Sequence, residues 1–167
     1  MYHLQREAER VTHTELVGLL REALADKEAL RRRHELGARA VGHYDSNNAY
    51  QYIIAREDVH LAWLRDALLA EGGDLPPAPP DPPMPGTEQG IILADIAEQA
   101  RFVDRWGSRA VGMTHARHRL MLEQLVGECR EHLRMFEHAA AGRGDLLGRR
   151  TTPSPPTGRV LGARWVG

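Results

Sequence analysis

Apolar residues recur at three- and four-residue intervals through most of the chain, in four runs that predict four amphipathic helices. The first covers residues 14–43, with Leu16, Leu20, Ala23, Leu24 and Leu30 as its stripe and Thr12 or Thr14 as its cap. Gly42 and the cluster Asp45-Ser46-Asn47-Asn48 read as its stop and the cap of the next. The second covers residues 48–71, carries Tyr50, Ile53, Ile54, Leu61, Leu64, Ala67 and Leu68 on one side, and ends at Gly72-Gly73. The third spans residues 88–109, with Ile91, Ile92, Ile96, Phe102, Val103 and Trp106; the fourth runs over residues 114–141 and ends at Gly142. No convincing period-2 pattern appears, so the expected class is all-α.

Residues 72–86 hold seven prolines and cannot be helical. Fifteen extended, Pro-rich residues reach about 46 Å, whereas a helix of about 25 residues is about 38 Å long. The segment can therefore run the length of a bundle, while the other two connections are short. The predicted architecture is a four-helix bundle of two antiparallel hairpins joined by a long Pro-rich crossover (residues 72–87). Residues 1–13 then form an N-terminal extension, residues 14–142 the bundle, and residues 143–167 a tail rich in Arg and Pro.

A near-duplication supports two related hairpins. Gly37-Ala38-Arg39-Ala40-Val41-Gly42 returns seventy positions later as Gly107-Ser108-Arg109-Ala110-Val111-Gly112, and the same offset pairs Glu28 with Glu98 and Gly72 with Gly142.

Candidate chemistry lies on the apolar stripes. Glu57-Asp58-Val59-His60 puts Glu57 and His60 on the inner face of the second helix, in line with Tyr50, Ile53, Leu64 and Ala67. A buried carboxylate and imidazole each need a partner, and a divalent metal satisfies both. The fourth helix offers Glu128 and His132 at the inner arc or its edge, beside Cys129. The third offers Asp95 centrally and Glu98 at the edge. On the first, the repeat favours Glu28 but the helical wheel favours Lys27; a lysine at that depth could pair with Glu57 and make a metal unnecessary. At the strict offset Glu57 and His60 align with Gly127 and Arg130, so the two half-sites are unequal. Tyr50 lies on the inner stripe as a core or cavity-lining residue.

Leu19-Leu20-Arg21-Glu22-Ala23-Leu24-Ala25-Asp26, the downstream Glu57-x-x-His60, the Pro-rich crossover and the second hairpin together resemble the ferritin-like superfamily, over residues 14–142. The resemblance implies a carboxylate-bridged di-iron or di-manganese site, with Glu28, Glu57, His60, Glu98, Glu128 and His132 as ligands and Asp95, Lys27 and Tyr50 beside them. It implies redox or iron-handling chemistry. The alternative is a metal-free bundle acting as an interaction or assembly module.

The tail bears on partners. Val160, Leu161, Trp165 and Val166 are unusually apolar for a solvated terminus and follow the Pro-rich stretch beginning at Thr151. They read as a docking peptide on a tether, similar in layout to the cargo of encapsulin shells, which implies a protein partner and a homo-oligomer or a subunit of a complex. Arg31-Arg32-Arg33 reads as a solvated face that pairs with Glu28 and Glu35, and His115-x-x-His118 as surface histidines at a helix start, although the spacing suits a metal. Twenty-two Lys and Arg against twenty-three Asp and Glu give a net charge of -1 and no nucleic-acid footprint. One cysteine, no apolar signal core and no run of about 20 apolar residues predict a cytoplasmic protein with no membrane span.

Overall fold

The computed structural model describes residues 2–142, with side chains from residue 12 onward. It contains four helices: α1 (Tyr2–Ala40), α2 (Tyr44–Ala70), α3 (Glu88–Val111) and α4 (Ala116–Ala140). There is no strand among the described residues, and no helix is long and apolar enough to cross a membrane. Val160, Leu161, Trp165 and Val166 lie outside the described residues.

One boundary differs substantially from expectation. The stretch expected as an extension, residues 1–13, is helical from Tyr2. Neither Gly nor Pro occurs between residues 2 and 17, so nothing stops the helix there, and the threonines at 12 and 14 sit inside it rather than capping it. The polar cluster before α2 is likewise absorbed into its first turn. Asn47 keeps a capping role, but for the preceding helix: its Nδ2 donates to the carbonyls of Ala38 at 2.7 Å and Val41 at 3.1 Å, which α1 leaves unpaired at its end. Gly72 and Gly142, the repeat partners, both adopt positive φ (77° and 67°) just past α2 and α4, the left-handed stop that glycine takes most easily.

Each helix packs on two neighbours: α1 on α2 and α3, and α4 on α2 and α3. The pairs run antiparallel. Arg33 meets Asp95 while Asp26 meets Arg105, and Arg56 meets Glu128 while Glu71 meets His118. The segment after α2 lies along α1, where Arg21 donates to the Asp74 carbonyl (3.2 Å) and Arg32 to Asp81 (2.5 Å). The Gly42 amide then donates to Glu88 (2.6 Å).

The core has two apolar halves. One joins Leu20, Leu24, Leu64, Leu68, Trp106 and Leu125; the other joins Tyr50, Ile53, Ile91, Ile92 and Phe136. Lys27, His34, Glu57, His60, Asp95, Gln99 and His132 are all buried and fall between these halves on every helix. A polar belt therefore crosses the middle of the bundle.

Gly37 faces this belt so closely that a Cβ would lie 2.9 Å from the Tyr50 ring and 3.0 Å from Asp95. Gly37→Ala should destabilise the protein by about 1–3 kcal/mol, because a buried ring must move. Gly18, where a Cβ meets open space, should instead gain up to about 1 kcal/mol as alanine through helix propensity alone. Chemical denaturation of the two variants checks both signs.

Candidate functional site

Lys27 is the only lysine in the chain; the other twenty-one basic residues are arginine. It is fully buried, and its Nζ donates to Glu57 Oε1 at 2.8 Å, a carboxylate with no exposure of its own. The same ammonium reaches Cys129 Sγ at 3.4 Å, so it bridges α1 to the diagonal helix α4. His34 Nδ1 lies 3.0 and 2.9 Å from the two Glu57 oxygens. An ionised carboxylate only accepts, so His34 Nδ1 must carry the proton.

Charge is settled by competition between burial and pairing. Burial works against the Glu57 carboxylate, but His34 and Lys27 outweigh it and hold the group far below the ordinary range. Burial likewise opposes the Lys27 ammonium, and Glu57 with Cys129 overcomes it, leaving that pKa above its usual value. Burial raises the Cys129 thiol despite the neighbouring ammonium.

The other expected carboxylates are also met by basic side chains. Arg56 grips Glu128 through two 2.9 Å bonds, and His60 Nε2 adds a third at 2.9 Å. Arg33 Nε donates to Asp95 at 2.6 Å, and the Tyr50 hydroxyl donates to the other Asp95 oxygen. Glu28 pairs with Arg65 at 2.7 Å, while Glu98, 36% exposed, pairs with Arg101 at 2.9 Å. Of the six residues expected as ligands, Glu57 is held by Lys27 and His34, while Glu28, Glu98 and Glu128 are held by arginines at the sides of the bundle. His60 alone meets two others of the set: Glu128 at 2.9 Å, and His132, whose ring stacks on its own with centroids 6.0 Å apart.

This donor set does not fit a pair of bridged divalent ions. Among the described residues, the one group of His, Cys, Asp or Glu that brings three ligand atoms within 4.8 Å of one another is Glu71, His115 and His118, elsewhere in the bundle.

The counterpart of Glu57-x-x-His60 is Cys129-x-x-His132. Gln99 Nε2 donates to the Cys129 carbonyl across the same thirty-residue separation that joins Lys27 to Glu57. The belt thus repeats at an offset of seventy-two, two residues from the seventy of the glycine stops, and at that register Glu57 and His60 match Cys129 and His132. Glu128, expected to partner Glu57, is instead turned outward at 25% exposure. Reading Arg33 as solvated missed its contact with Asp95. The uniqueness of Lys27, visible in the composition, was the signal for its role.

No family model, characterised protein or solved structure matches the chain.

Two predictions follow from the belt. Lys27→Met leaves Glu57 buried without its ammonium and should cost about 3–5 kcal/mol; adding Glu57→Met should restore at least half of that, measured by urea unfolding. Acid should also weaken the fold early. Burial and the nearby Lys27 charge depress His60 to about 4 and His132 to about 3, whereas the unfolded residues titrate near 6.5. Between those values the unfolded chain holds more protons, so stability is complete above about pH 6.5 and declines as pH falls towards 4. His132→Gln should flatten that decline in thermal melts between pH 7 and pH 4.5.

Proposed function

We propose that this chain is a ferritin-like bundle whose central cation is the Lys27 ammonium, and that it serves as an assembly module with a metal-free core. The observation that carries the proposal is the fully buried Lys27–Glu57 pair, which also touches Cys129, the repeat counterpart of Glu57. The ammonium occupies the point where the two halves of the belt meet. An added divalent ion would have to displace it.

The contact pattern supports ferritin-like connectivity. Asp74, Asp81 and Glu88 meet Arg21, Arg32 and Gly42 in turn, as expected for a connector that returns along α1 so that α2 and α3 start at the same end. In this reading the bundle is a rigid head. The Pro-rich tether and the apolar residues Val160, Leu161, Trp165 and Val166 dock it to a larger partner, a shell or a complex.

One observation favours the alternative, a di-iron or di-manganese protein for redox or iron-handling chemistry. His34 Nε2, His60 Nδ1 and His132 Nδ1 are buried without a hydrogen-bond partner. These nitrogens could face an ion only if Lys27 withdrew.

Elemental analysis of protein grown with excess iron and manganese, in a His115→Ala background, separates the two readings. The assembly reading expects substoichiometric iron and manganese; two equivalents retained per chain would support the redox reading. Pull-down with the chain truncated after residue 150 tests docking, and the truncated chain should lose the partner captured by the full chain.

A further inference from the structure

A second cluster lies well away from the belt. Glu71 caps the end of α2 fourteen residues beyond Glu57, about 21 Å along the helix at 1.5 Å per residue. Across from it, His115 caps the start of α4 and His118 sits in the first turn. His118 Nε2 lies 2.8 Å from Glu71 Oε1, and the His118 side chain is only 4% exposed. The His115 and His118 rings stack at 4.2 Å. One potential ligand atom from each of the three residues lies within 4.8 Å of the others. His13, on α1, completes the surround: its Nε2 lies 3.1 Å from the Glu71 carbonyl and its Nδ1 3.6 Å from the second carboxylate oxygen.

We propose that Glu71, His115 and His118 bind a borderline divalent transition metal, Zn2+ foremost, and thereby clamp the end of α2 to the start of α4. Two imidazoles and one carboxylate form a set that suits zinc and leaves a fourth position for water or another ligand. Ligand atoms of a tetrahedral zinc ion stand about 3.4 Å apart, given bonds of about 2.0–2.1 Å. The Glu71–His118 pair is already near that spacing. His115 is exposed and can close the rest by turning its ring. His13 acts as a positioning residue, its Nε2 donating to the Glu71 carbonyl at 3.1 Å and so fixing the end of α2 that carries the carboxylate. The negative end of α2 offsets the positive end of α4 at this point, so the helix termini do not oppose a cation. A cleft of about 320 Å³ lined by Trp63, Asp66, Glu71, His118 and Met121 adjoins the site and gives the fourth position room.

The site is independent of the Lys27 belt, and calorimetry of the full chain tests it. Chelator-stripped protein titrated with Zn2+ at pH 7.5 should bind one equivalent with micromolar or tighter affinity, and its melting temperature should rise by about 4 °C or more. Co2+ should give the visible bands of a low-coordinate nitrogen and oxygen site. His115→Ala and Glu71→Gln should each weaken binding at least tenfold, and His13→Ala should weaken it less. His115 is exposed and gives up only a 3.4 Å cap on the His118 amide, so its variant should still fold in chelator, with a melting temperature lowered by a few degrees at most; if His118→Ala unfolds the bundle, the His115 variant decides alone. Millimolar affinity in the wild type, or unchanged affinity in the His115 variant, would overturn the proposal.

Discussion

An ammonium sealed inside a helical core has to be surrounded by groups that accept its charge, and this requirement shapes the centre of the bundle. Removing two unit charges from water costs several kcal/mol each, a penalty met only when geometry is good and the remaining polar atoms are bonded. Lys27 and Glu57 meet that condition at 2.8 Å, and His34 satisfies the second Glu57 oxygen. Because Lys27 projects from α1, Glu57 from α2 and Cys129 from α4, the pair fixes three helices in axial register. Apolar packing above and below it could tolerate a slip of one turn; this contact could not.

The arginines extend the same logic outward. Arg56 on Glu128 and Arg33 on Asp95 place rigid, forked donors where the belt approaches solvent. Lysine, a compact charge on a flexible stem, is kept for the one position where the cation must be wholly buried. The carboxylates on the inner stripes are thereby neutralised by basic side chains. Burial and the Lys27 charge lower the pKa of both His60 and His132, which suits the unpartnered Nδ1 that each keeps in the core.

Much of the architecture was legible because it depends on local rules. Four apolar stripes became four helices, and Gly72 and Gly142 ended two of them. The helical wheel placed Lys27 inside when the repeat preferred Glu28, and Lys27 is the buried one. Periodicity could not supply distant pairing. Glu128 stands one residue from the inner seam, near enough to look like a ligand, and only the reach of Arg56 from α2 turns it outward. The register of the belt was hidden because the glycine repeats advertise an offset of seventy while the facing motifs keep seventy-two. Asn47 escaped for a related reason: its side chain caps the preceding helix rather than its own.

The account stands on the charge of one amine, and the chain offers a direct view of it, since a 15N-lysine label gives a single side-chain signal. The Nζ resonance should be that of an ammonium with three protons exchanging slowly with water, and it should stay so at least to about pH 9, because Glu57 holds the group above the ordinary lysine value. A neutral amine at pH 7, or an ammonium in fast exchange with solvent, would contradict the buried pair and the metal-free core built on it.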